Sequence, residues 1–239
     1  MKLLLLLLLS LKWGKIGLTS GTMLLSLVAY ATIWGWRYAA GFVVLMYAHE
    51  MGHVIAARQC GLRVSAPVFI PFVGAWINLR DQPVDVRTEA YVAFGGPLVG
   101  TVAAVAVYLW GRSNNNSLLI AISYAGLFLN LFNLLPLSPL DGGRITAILS
   151  PRVWLLGAPA MLAVMLYWPS PALILIAIVS FPQIITAWNY DPKAPENIAY
   201  YHVPLESRLE YGALYLALTA YLAVMTYEVH EMLSGHPVS

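Results

Sequence analysis

Residues 38–60 read YAAGFVVLMYAHEMGHVIAARQC, and the reading of this stretch decides what kind of molecule the chain is. Its first half is almost unbroken apolar sequence, and the whole has the length of a membrane-spanning helix, which needs about 20 residues. Its second half nevertheless carries His49, Glu50 and His53. An ionisable side chain in hydrocarbon costs at least about 2.5 kcal/mol unless it faces a bundle interior or cavity and finds a partner there. The stretch is therefore read as a helix with one face turned inward, and that face as the seat of the chemistry.

The remainder of the chain agrees with a membrane setting. Of 239 residues, 60% are hydrophobic and 10% are charged, and the mean hydropathy is +0.73. A soluble domain carries roughly 25% charged residues, and this much apolar surface cannot be hidden in one water-soluble core. The net charge of +2 comes from basic residues spread singly, which gives no basis for nucleic acid as a partner. A single cysteine, Cys60, excludes an intramolecular disulfide framework and a Cys-only zinc site.

Working outward, apolar segments long enough for helices lie at about 18–36, 38–60, 88–111, 117–135 and 208–230. A further pair, about 153–168 and 171–188, is split by Trp168-Pro-Ser-Pro171. The expected fold is an all-α polytopic membrane protein of six or seven transmembrane helices, forming a single domain over 1–239. Its catalytic core covers about 38–150, and C-terminal helices fill about 151–239. The opening MKLLLLLLLSLKW is too short to span, and residues 1–13 are read as an interfacial helix rather than a cleaved signal. With the N-terminus in the cytoplasm, every Lys and Arg except Arg37 and Arg112 falls on the inner side, which is a strong positive-inside bias.

Two segments break the helical pattern. Residues 64–80, VSAPVFIPFVGAWINLR, mix β-favouring residues with Pro67, Pro71 and Gly74, and suggest a re-entrant, hairpin-like extended segment. Residues 133–144, NLLPLSPLDGGR, interrupt an apolar helix with two prolines and two glycines around Asp141.

His49 and His53 stand four apart, so on a helix their imidazoles project from one face and can share a metal ion, while Glu50 can act on a metal-bound water. Zinc suits imidazole and carboxylate donors and keeps a position open for water. One ion needs a third donor. Cys60 lies about 10 Å further along the helix axis than His53, out of reach. His202, His230 and His236 fall at an interface or tail, whereas Asp141 falls at the same depth as the histidine pair and is the expected third ligand.

HEMGH on an early span, followed by Asn133, Pro136, Asp141 and Gly142 in the spacing N-x-x-P-x-x-x-x-D-G, resembles the site-2 protease family of intramembrane zinc metalloproteases. Gly96-Pro97-Leu98-Val99-Gly100 stands where that family carries a G-P-x-x-N/S/G element. The resemblance implies one zinc ion per chain on His49, His53 and Asp141, with Glu50 activating water. It implies a zinc-dependent endopeptidase that cuts peptide bonds in or near transmembrane segments of membrane-tethered proteins. Its partners would be a membrane-spanning protein substrate and the lipid bilayer of a bacterial or archaeal cell, with the active site toward the cytoplasm. Asn133 would contact substrate or a developing oxyanion, and Gly74, Gly96 and Pro97 are candidate substrate or transition-state contacts. Gly96 and Gly100 also form a small-xxx-small pair suited to close helix packing. The alternative is a non-catalytic metal-binding scaffold or transporter, and this would require a degenerate site. Five histidines are too few for a di-iron oxidase, and no serine is evidently paired with the buried histidines as a rhomboid-like protease would need.

Overall fold

A computed structural model describes residues 19–65, 67–72, 74–76, 81–167 and 169–235. The expected interfacial helix at 1–13 lies outside the described residues. What is described is mostly helical. Helix α1 (Thr19–Trp34) runs into α2 (Trp36–Gln59) through Gly35, whose φ of 81° is a left-handed conformation that glycine adopts without strain. There the chain doubles back, so that Tyr30 of α1 meets Phe42 of α2 edge-on at 5.3 Å between ring centroids.

Strands β1 (Val68–Ile70) and β2 (Gly74–Trp76) pair antiparallel, with Phe69 opposite Ala75. Phe69 N–H points away from β2 and donates to Thr22 Oγ1 of α1, while Phe72 N–H donates to Tyr30 O–H. The β1 side of the hairpin is thus tied to α1, and the stacked rings of Phe69 and Tyr47 tie it to α2.

Helix α3 (Val86–Ser113) starts at Asp85, whose carboxylate accepts from Thr88 N–H at 2.7 Å, as an N-cap should. Asn116 caps α4 (Ser117–Asn133) in the same way. Helix α2 packs on α3 at a point where two glycines face each other. A Cβ on Gly52 would stand 2.2 Å from Gly95 O, so the backbones touch only because neither residue has a side chain. The close helix contact is therefore centred on Gly52 and Gly95, and Gly96 of the small-residue pair shares in it, its Cα standing 2.9 Å from the same point.

After α4 the chain leaves helical geometry over 134–140 and restarts as α5 (Asp141–Thr146). Backbone polar groups freed inside an apolar bundle must find partners, and here they do. Tyr215 O–H donates to Leu134 O at 2.7 Å; within α5, Trp154 Nε1–H reinforces Gly143 O, which also accepts from Ala147 N–H, and Thr146 O–H donates to Gly142 O, each of these side-chain bonds 2.7 Å long. The break is packed so tightly that a Cβ on Gly142 would sit 2.1 Å from Leu134 O. A short 3-10 turn (Pro151–Val153) leads to α6 (Trp154–Tyr167), α7 (Pro171–Trp188), the short α8 (Pro195–Tyr201) and α9 (Leu205–Leu233).

Helices α2, α3 and α9 are long and apolar enough to cross a membrane. The other apolar helices are shorter: α4, with 17 residues, is about 26 Å long against roughly 30 Å of hydrocarbon. Outward-facing positions carry large apolar residues such as Val44, Val102, Ile178 and Leu216, all well exposed. A surface of that kind is suited to lipid rather than water. The chain is a membrane protein.

Candidate functional site

Helix α2 brings His49, Glu50 and His53 to its buried face, and all three are nearly inaccessible. The restart at α5 carries Asp141 to the same point from the other side of the bundle. His49 Nε2 and His53 Nε2 lie 3.2 Å apart, and each lies 3.2 Å from Asp141 Oδ2. Three potential donors therefore form an equilateral triangle.

The hydrogen bonds behind that triangle decide what it can hold. His49 Nδ1–H donates to Asn130 Oδ1 at 2.8 Å, and His53 Nδ1–H donates to the Val92 carbonyl at 2.8 Å. With each neutral imidazole carrying its proton on Nδ1, both Nε2 atoms present lone pairs to each other and to a carboxylate. Three such atoms repel unless a cation draws them together. Ligands of a tetrahedral zinc at about 2.0–2.1 Å stand roughly 3.3 Å apart, so the triangle fits a metal ion in size as well as in donor chemistry. Outer hydrogen bonds from each histidine's second nitrogen are the arrangement that metal-binding imidazoles use. His49, His53 and Asp141 are, among the described residues, the group of this kind that could hold a metal.

Glu50 is 7% exposed and, being three residues before His53, shares that side of the helix. Gly96 lies against His53: a Cβ there would meet Nε2 at 2.2 Å, so its missing side chain makes room for the ring. Gly100 plays the same part for the Asn130 amide, at 2.2 Å from Oδ1. Pro97 interrupts the hydrogen-bond ladder of α3, removing the donor that Ala93 O would have used, one residue beyond the carbonyl that receives His53. Asn133 donates through Nδ2 to Leu129 O in its own helix. The triangle is made without Gly74, which pairs with Ile70 in the hairpin.

Asn130 escapes a reading of sequence motifs. Its signal is an amide three residues before Asn133 in the apolar run LLIAISYAGLFLNLF, where a polar side chain needs a buried partner. A second network sits beside the site. Arg144, on α5, donates through Nε to Glu89 Oε1 at 3.2 Å, and Tyr200 of α8 donates to Glu89 Oε2 at 2.6 Å. Burial, and then the Glu89 charge, push the Tyr200 phenol well up, so it remains a donor at neutral pH.

Residues 37–115 match the profile of Peptidase family M50. The zinc metalloprotease MJ0392 of Methanocaldococcus jannaschii is 29% identical over 134 residues, covering 54% of this chain and 38% of that protein. Rip3 of Mycobacterium tuberculosis is 32% identical over 129 residues, covering 48% of this chain and 32% of its own length. The chain thus spans about a third of the length of these curated relatives. The solved site-2 protease of M. jannaschii superposes with a TM-score of 0.47 and 23% identity over 70% of this chain and 84% of that one. The segment that carries His49, Glu50 and His53 is thus similar to peptidase family M50 and to the zinc metalloproteases MJ0392 and Rip3.

Proposed function

We propose that the protein is an intramembrane zinc-dependent endopeptidase acting on peptide bonds in or near transmembrane segments of membrane-tethered proteins. The observation that carries this reading is the 3.2 Å triangle of His49 Nε2, His53 Nε2 and Asp141 Oδ2, with both Nδ1 atoms already engaged. In this reading those three residues hold one zinc ion, which when bound polarises a scissile carbonyl and brings the pKa of water toward neutrality. Glu50 takes the proton from the attacking water and passes it to the leaving amine. The N–H of Asn133 not given to Leu129 is available for a substrate carbonyl or developing oxyanion. Gly96 and Pro97 serve by keeping α3 open against His53.

A helical substrate shields its own carbonyls, so it must unwind before it is cut. With β1 tied to α1, an unwound substrate strand would be added along β2, beginning at Gly74. This hairpin would re-enter the membrane beside the site. The four shorter apolar helices would also cross, with local thinning of the bilayer, to give six or seven spans in one domain over residues 1–239. The core would cover about 38–150, with C-terminal helices over about 151–239. The distribution of Lys and Arg supports an orientation with the N-terminus and active site toward the cytoplasm of a bacterial or archaeal cell.

The test uses proteoliposomes containing a membrane-tethered reporter. Wild-type protein should cut it and retain about one zinc per chain, while Glu50→Gln should retain the zinc and lose cleavage. Cleavage by Glu50→Gln at the wild-type rate would sink the mechanism. The same variant in native membranes should co-purify with its uncut substrates.

A further inference from the structure

The two histidines are steadied differently, and the difference singles out Asn130. His53 leans on a backbone carbonyl, Val92 O, while His49 leans on a side chain. Asn130 is 1% exposed in the middle of apolar α4, and both ends of its amide are bonded. Nδ2 donates to Gly126 O at 2.7 Å, and Oδ1 accepts from His49 Nδ1–H at 2.8 Å. The order of these bonds is forced. Gly126 O can only accept, so it takes the NH2 end and leaves the oxygen toward His49. That oxygen can only accept in turn, so it selects the imidazole tautomer with its proton on Nδ1. The amide has room because position 100 is glycine, where a Cβ would lie 2.2 Å from Oδ1. A buried amide in an apolar helix is costly unless fully bonded, and here its bonding runs from α4 to the first histidine of the site, 81 positions away.

Resting on the metalloprotease reading above, we infer that Asn130 is the positioning residue of the metal centre. It holds His49 in the Nδ1–H tautomer, turns the Nε2 lone pair toward His53 and Asp141, and depends on Gly100 for its seat.

The test is zinc affinity of the full chain in micelles, measured by competition with a chromogenic chelator, alongside the d–d absorption of the cobalt-substituted protein. Asn130→Leu keeps the volume but removes the acceptor, and should weaken zinc about 10–100-fold, the range for loss of a ligand's outer partner, with altered cobalt bands. Asn130→Asp keeps an acceptor for His49 Nδ1–H but gives up the donor to Gly126 O, and should lose clearly less zinc affinity than Asn130→Leu. Gly100→Ala leaves the amide intact but displaces it. It should weaken zinc too, and adding it to Asn130→Leu should cost little more, since the two act through one contact.

Wild-type affinity and unchanged cobalt bands in Asn130→Leu would overturn the assignment, as would Asp and Leu variants weakened equally. Should Asn130→Leu fail to fold, the Gly100→Ala protein decides, and unchanged cobalt bands in it overturn the proposal. His53→Ala separates the two readings. If it binds zinc as tightly as wild type, the metal centre itself is misassigned; if it loses zinc while Asn130→Leu does not, only the role of Asn130 fails.

Discussion

The corner where α2, α3 and α5 meet differs from the outer pair α6 and α7 in what each does with space. In the corner, single hydrogen atoms on glycine are all that fits. Gly52 faces Gly95 O, Gly96 faces the His53 ring, and Gly142 faces Leu134 O. Along α7, Ile174, Ile178, Phe181 and Ile185 point outward and are exposed. The corner is specified atom by atom because it must hold polar side chains in fixed geometry out of water. The outer pair is specified only in hydrophobicity, because lipid accepts almost any apolar shape.

Substitutions can break that contrast. Gly52→Val should have the largest effect, since backbone meets backbone and neither can yield. We expect a loss of about 3 kcal/mol or more in thermal unfolding in micelles, and a wild-type melting temperature would dissolve the contrast. Gly96→Ala should leave the protein folded, because the His53 ring can rotate away, but should lower zinc retention at least about tenfold, as read by metal content after dialysis. Trp154→Phe removes the indole donor from Gly143 O, which keeps the Ala147 N–H, and should cost about 0.5–1.5 kcal/mol. Tyr200→Phe removes one bond to Glu89, which keeps Arg144, and should cost about 0.5–1.5 kcal/mol. Ile178→Leu on the outer face should stay within about 0.5 kcal/mol. A larger loss there would show that α7 packs against something more demanding than lipid.

Much of the helical layout was legible because hydropathy runs and breakers mark it directly. The segments expected at 38–60 and 117–135 appear as Trp36–Gln59 and Ser117–Asn133. The interruption at 133–144 appears as the gap between α4 and α5, and it brings Asp141 to the histidine pair as its depth suggested. Three-dimensional partnership was not legible. Asn130 gives no motif, since its partner is 81 positions away. The glycines of α3 read as one small-residue stripe, yet Gly95 admits a helix, Gly96 a ring and Gly100 an amide. A spacing rule gives the side of a helix a residue occupies, but not whether backbone or side chain arrives there. Nor does hydropathy alone separate long spans from the shorter apolar helices, because helix ends depend on packing at each terminus.

The split between α4 and α5 also bears on how the molecule comes into being. His49 and Glu50 leave the ribosome about ninety residues before Asp141 does, an interval of roughly five to twenty seconds at ordinary rates of synthesis. Until then the histidine pair lacks its carboxylate partner. Leu134 O, in turn, waits for Tyr215, so the turn that presents Asp141 is fully secured only when α9 has been inserted. The cluster of His49, His53 and Asp141 is thus completed late, and only the finished fold brings all three donors together.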